Sequence, residues 1–153
     1  MTYSAYSSTS VPIAKSQEGI RKMIYAHKGR GLMLISHAPR EGFEALMQIN
    51  NVEYRVRIMA TCKIETHRGP GYTRKSSGQI EKQTEQEERR VWRVLYWHLK
   101  ALFESSDSGV IDIRDVIMPY VVMPNGETLS ERIMPQLEKV LADPSRALPE
   151  KIQ

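Results

Sequence analysis

Residues 81–106, EKQTEQEERRVWRVLYWHLKALFESS, decide how this chain is read. They hold no glycine or proline, are rich in helix formers, and are long enough for about seven helical turns. The first half is charged. The second half carries Val91, Val94, Leu95, His98, Leu99, Leu102 and Phe103 at i, i+3, i+4 spacings, an apolar stripe that must be laid on something.

The sequence just upstream offers the surface. Phe43 to Ile49 and Val52 to Met59 are separated by Asn50-Asn51, and paired asparagines tolerate the positive φ of a type I′ turn. With Ile49 opposite Val52, the pairs Met47/Tyr54, Ala45/Val56 and Phe43/Ile58 share one apolar face. The other face receives Gln48/Glu53, Leu46/Arg55 and Glu44/Arg57. A slip of one residue would send every apolar side chain to the wrong side. Gly31–Ser36 reads as a further strand before the hairpin, joined to it by a turn over residues 37–42.

Outward from this centre, residues 16–28 spell a short helix with Ser16 as N-cap, and Ile20, Met23, Ile24 and His27 on one face. Gly29 stands where a left-handed residue would end it. Downstream, Ser108-Gly109 breaks the long helix, and Asp112 caps a short helix through Met118. Tyr120–Met123 reads as extended and Pro124–Glu127 as a tight turn. Thr128 and Glu131 then form a capping box for a last amphipathic helix with Ile133, Met134, Leu137, Val140 and Leu141. Pro135 marks a kink or restart within it.

The predicted fold is α+β, a three-stranded antiparallel sheet with helices on one face in the order α-β-β-β-α-α-α. Residues 16–142 form the single domain, 1–15 a disordered polar arm, and 143–153 a peripheral tail. The order of the first five elements is shared with the double-stranded-RNA-binding domain, but the long helix here opens with glutamates rather than lysines.

Composition narrows the function classes. No run approaches the roughly 18 apolar residues of a membrane span, and the N-terminus lacks the pattern of a signal peptide. The single cysteine, Cys62, excludes an internal disulfide and points to a reducing cytoplasm. The net charge of +4 hides an asymmetry: residues 1–79 hold 12 Lys/Arg against 5 Asp/Glu, residues 80–153 hold 10 against 13. A basic front half attracts phosphate backbones or an acidic protein.

The basic groups concentrate in a loop over residues 64–79, where His67, Arg68, Arg74 and Lys75 surround Tyr72 among glycines. That mixture suits a loop that grips a nucleic-acid backbone. Arg55 and Arg57 on the polar hairpin face would support it, although Glu44 and Glu53 partly neutralise them. Trp92 and Tyr96, four apart on a second helix face, either meet a neighbouring helix or present a protein-contact site.

No catalytic constellation emerges. There is no phosphate-binding glycine loop after a strand, no cysteine pair, and no metal spacing among His27, His37, His67 and His98. Glu81, Glu85 and Glu88 share a helix face, as a solvated acidic first turn does. The expectation is a non-enzymatic protein with no metal or cofactor.

From Glu88 onward, ERRVWRVLYWHLKALFESSDSG followed by YVVMPNGETLSERIMPQLEKV resembles a family of small hypothetical proteins of tailed phages and prophages. Arg89, Arg90, Trp92, Arg93, Lys100, Gly109, Pro124, Gly126, Thr128, Pro135 and Gln136 carry the likeness over residues 88–140. Asn125, where the family turn has an acid, and Ser130-Glu131-Arg132, where it has an aromatic, depart from it. The resemblance implies a phage-type origin and the fold order, and transfers no site. Together these readings predict a cytoplasmic accessory protein that contacts DNA or RNA through Arg55, Arg57, Arg68, Arg74 and Lys75. The alternative is a protein-binding module, an inhibitor of a host factor or a homo-oligomerising accessory, that uses Trp92 and Tyr96.

Overall fold

A computed structural model describes residues 5–37, 39–66 and 73–143. The elements run α1 (Ile13–Ala26), β1 (Gly29–His37), β2 (Arg40–Ile49), β3 (Val52–Thr61), α2 (Ser77–Asp107), α3 (Ile113–Ile117), a 3₁₀ turn (Met118–Tyr120) and α4 (Leu129–Leu141). The fold is α+β, with one antiparallel sheet in the order β1-β2-β3.

The hairpin forms in the predicted register, from Ile49↔Val52 through Met47↔Tyr54, Ala45↔Val56 and Phe43↔Ile58, and continues to Arg40↔Thr61. Asn50 and Asn51 have φ of 50° and 64°, as a type I′ turn demands. The apolar face is covered by α1 and α2, and Phe43, Ala45, Met47, Val56 and Ile58 join Ile20, Ile24, Val91, Leu95, Leu99 and Phe103 in one buried cluster. Burying each large side chain contributes about 1.5–3 kcal/mol, so this contact is the main source of stability.

The buried arc of α2 is wider than the predicted stripe. It takes in Trp92, which is 1% exposed, whereas Val94, His98 and Leu102 are only half-covered. The cause is α1, which runs alongside α2 in the same direction: Gly19 faces Tyr96, and His27 stacks on Phe103 at 3.9 Å. A Cβ on Gly19 would lie 2.5 Å from the Tyr96 ring, so glycine sets how closely the helices approach. Trp92 Nε1 donates to Glu41 Oε2 at 3.1 Å, and Ser36 Oγ donates to Glu41 Oε1 at 2.9 Å. A buried carboxylate is thereby satisfied by two neutral donors.

Several predicted boundaries move. α1 begins at Ile13 after Pro12, and Ser16 is no cap but a fully buried small residue whose hydroxyl has no partner among the described residues. The left-handed residue ending α1 is Lys28, at φ 61°, not Gly29. Gly29 opens β1 because a Cβ there would lie 2.4 Å from Ile24 Cγ2. α2 begins four residues early, since Ser76 and Gln79 form a reciprocal capping box that outweighs the low propensity of Gly78. In the arm, the Ser7 and Thr9 carbonyls accept from Gln86 Nε2 at 3.1 and 3.0 Å.

After α3, capped by Asp112 as predicted, the chain reaches the free edge of β3. Val122 N donates to Arg55 O at 2.7 Å, and the chain turns at Gly126 to pair Val122 with Thr128. The Thr128/Glu131 box then starts α4, which passes through Pro135 without interruption. Unlike α1 and α2, α4 does not lie on the core, and none of its residues is buried.

Replacing Trp92 with Phe removes a donor from buried Glu41 and should cost about 1–3 kcal/mol in urea unfolding. Trp97→Phe, at an exposed position, should stay within about 0.5 kcal/mol. Equal effects of the two would contradict the assigned role of Trp92.

Candidate functional site

The outer sheet face presents cross-strand rows: His37–Arg40–Thr61, Ile35–Gly42–Met59, Met33–Glu44–Arg57 and Arg30–Leu46–Arg55. Four arginines stand here, and carboxylates are threaded among them. Arg30 pairs with Glu53. Glu44 lies directly opposite Arg57, yet its close partner is the diagonal Arg55, whose guanidinium it holds still more firmly charged through a hydrogen bond. Arg57 reaches instead across the β3 edge, where Nη2 donates to Gly126 O at 2.8 Å and to Glu131 Oε2 at 3.2 Å. The backbone N–H of Thr128, ahead of the Arg57 charge, holds the Glu131 carboxyl below the ordinary glutamate range.

The other expected contact residues lie around the start of α2. Lys75 is half-buried: its Nζ donates to Gln83 Oε1 at 2.8 Å and stands 3.9 Å from Glu65. Its N–H donates to Thr66 O at 3.0 Å and closes the base of the loop. Arg74 is exposed. Arg68, with His67 and Tyr72, lies outside the described residues. Of the five expected phosphate contacts, the structure thus groups Arg55 with Arg57 and Arg74 with Lys75, and engages all but Arg74 of these four with carboxylates.

The expected protein-contact pair is corrected. Trp92 is buried and belongs to the core, and Tyr96 is half-covered, with the Arg93 guanidinium 4.7 Å above its ring. The exposed aromatic of α2 is Trp97, flanked by Arg93 and Lys100 at 5.1 and 4.9 Å. Position alone hides this: Trp97 sits one residue past Tyr96, on the side that α1 leaves open.

Among the described residues, five exposed apolar side chains gather on α4. Ile133 and Met134 are each 45% exposed, Leu137 41%, Val140 40% and Leu141 67%. All five lie on one side of the helix by their spacing. At its base, a cleft of about 240 Å³ opens between Met118, Pro119, Leu129, Ser130, Ile133 and Met134. The sequence named this stripe correctly, but nothing in it signals that the core is closed without α4.

The remaining polar groups form structural pairs. His27 places Nδ1 2.7 Å from Met23 O and Nε2 2.8 Å from Asp107, so both ring nitrogens are engaged. His98 Nε2 meets Tyr120 Oη at 2.7 Å, and burial pushes the imidazole down and the phenol up, favouring a neutral pair. Burial and the nearby carboxylate of Glu41 push the Cys62 thiol up to about 11. Among the described residues no three His, Cys, Asp or Glu side chains gather in a metal-binding group. Nor is any described helix long and apolar enough to cross a membrane.

Comparisons with protein-family models, with curated proteins and with solved structures find no match. The fold and its surfaces therefore define the class on their own terms: an α+β domain with a closed core, an arginine–glutamate sheet face and one amphipathic helix left uncovered.

Proposed function

We propose that this protein is a small non-catalytic accessory that works by self-association, with α4 as its docking element. The observation that carries this reading is a fully formed, doubly capped helix whose five stripe residues are all 40–67% exposed. A 13-residue helix is marginal in water by itself, and helices of this length draw most of their stability from covering an apolar face.

The occupant is a second copy of this chain. On one flank of the stripe stand Glu131, already held by Arg57 of the same chain, and Glu138, and on the other stands Gln136. A continuous stripe of this kind is self-complementary, and in a parallel pair each stripe residue meets its own copy across the two-fold axis. An apolar patch at the ordinary upper size, about 300–600 Å², doubles on pairing to about 600–1,200 Å². That is the range of reversible contacts, so the dimer should be concentration-dependent. The likeness of residues 88–140 to small phage proteins supports a phage or prophage setting, in the host cytoplasm.

Parallel pairing brings Leu137 of one copy against Leu137 of the other. Leu137→Cys should therefore cross-link to a dimer under mild oxidation, and Cys62, the only native cysteine, is buried and should stay silent. Ile133→Glu should sediment as a 17.6 kDa monomer with its unfolding free energy changed by no more than about 0.5 kcal/mol. A wild-type chain that stays monomeric at the highest soluble concentration would overturn the reading.

A second reading, contact with a DNA or RNA backbone, draws support from Arg74, exposed beside the loop and paired with no carboxylate among the described residues. It predicts a gel shift at about 50 mM salt that fades by about 200 mM, and absence of any shift at the lower salt would remove it.

A further inference from the structure

We infer that one corner of the open sheet face binds a small organic phosphate, a phosphoryl group joined to a flat or apolar body. The site rests neither on the α4 dimer nor on the loop. It lies where β1 ends and β2 begins, over the rows Ile35–Gly42–Met59 and His37–Arg40–Thr61.

A recess of about 280 Å³ opens here between Ile35 and Met59, rimmed by His37, Arg40 and Arg57. Gly42, between Ile35 and Met59 in the row, is itself buried, because the Met59 side chain lies over it, with Sδ 2.6 Å from where a Cβ would stand. Recesses for drug-sized ligands run from about 300 to 1,000 Å³, so this one selects a small molecule or a single unit of a larger one.

The rim is short of negative charge. Three of the four arginines on this face have a close carboxylate: Arg30 has Glu53, Arg55 has Glu44, and Arg57 has Glu131. Arg40 only shares Glu131 with Arg57: its Nη2 stands 3.8 Å from Glu131 Oε1, an ion pair too long for a hydrogen bond, and its side chain is 56% exposed. His37 stands directly opposite Arg40 across the strands and has no partner among the described residues.

With Arg40 and Arg57 against Glu131, the corner carries a net +1. A phosphate group brings about −1.5 to −2 near neutral pH and three acceptor oxygens, suited to a rim with that excess of positive charge. A guanidinium fork takes two of those oxygens, and the imidazole takes a third. The body of the ligand would then lie against the Ile35 and Met59 side chains. The same chemistry occurs in a free mononucleotide and in the terminal phosphate of a nucleic-acid strand.

Calorimetric titration of the full chain with AMP, adenosine and inorganic phosphate, at about 50 mM salt, tests the site. AMP should bind more tightly than inorganic phosphate, and adenosine should not bind. Arg40→Gln should weaken AMP by about tenfold or more, His37→Gln should weaken it less, and Arg30→Gln should leave it unchanged. A 5′-phosphorylated oligothymidylate, titrated beside the same strand without the phosphate, separates the sources. Binding of the phosphorylated strand alone supports a strand end, and binding of AMP with neither strand supports a free nucleotide. Absence of AMP binding, or AMP binding equal in wild type, Arg40→Gln and His37→Gln, would overturn the inference.

Discussion

An amphipathic helix is stable in water only when something covers its apolar side, and this constraint organises the molecule. α2 meets it fully. Its Val91, Leu95, Leu99 and Phe103 sit on Phe43, Ala45, Met47, Val56 and Ile58 of the hairpin, and α1 closes the remaining side. The carboxylate caught in that contact, Glu41, is satisfied locally by Trp92 and Ser36. α4 does not meet the constraint within one chain, and the proposed function follows from that difference.

The features legible in the sequence were those set by short-range periodicity. Asn50-Asn51 and strict alternation on either side fix the register, because only one pairing puts Phe43, Met47, Tyr54 and Val56 on the same face. The capping boxes and helix stripes are equally local. Contacts between elements distant in sequence were not legible. The burial of Trp92 depends on α1 running beside α2, and that depends on Gly19, whose meaning appears only when the Tyr96 ring is seen against it. The stripe of α4 looked like core because nothing local distinguishes a helix on the core from one beside it.

The candidate sites show the same division. Counting charges found a basic front half, but the count cannot see that Arg55 turns to diagonal Glu44 or that Arg57 crosses to Glu131, 74 residues away. Those pairings leave Arg40, a residue with no distinguishing motif, sharing with Arg57 the single carboxylate of Glu131. Its significance comes from the recess beside it, between Ile35 and Met59, which nothing local in the sequence signals. Surface chemistry in this fold is therefore set by which charges remain after internal pairing, not by where basic residues are densest.

The central claim is that α4 acquires its cover from a second copy. Amide hydrogen exchange, followed residue by residue over a wide range of protein concentration, addresses it most directly. The account predicts that amides of residues 132–141 become steadily better protected as concentration rises, while those of α2 hold a constant, higher protection. Protection of α4 that is the same at every concentration would show that its apolar side is not covered by self-association.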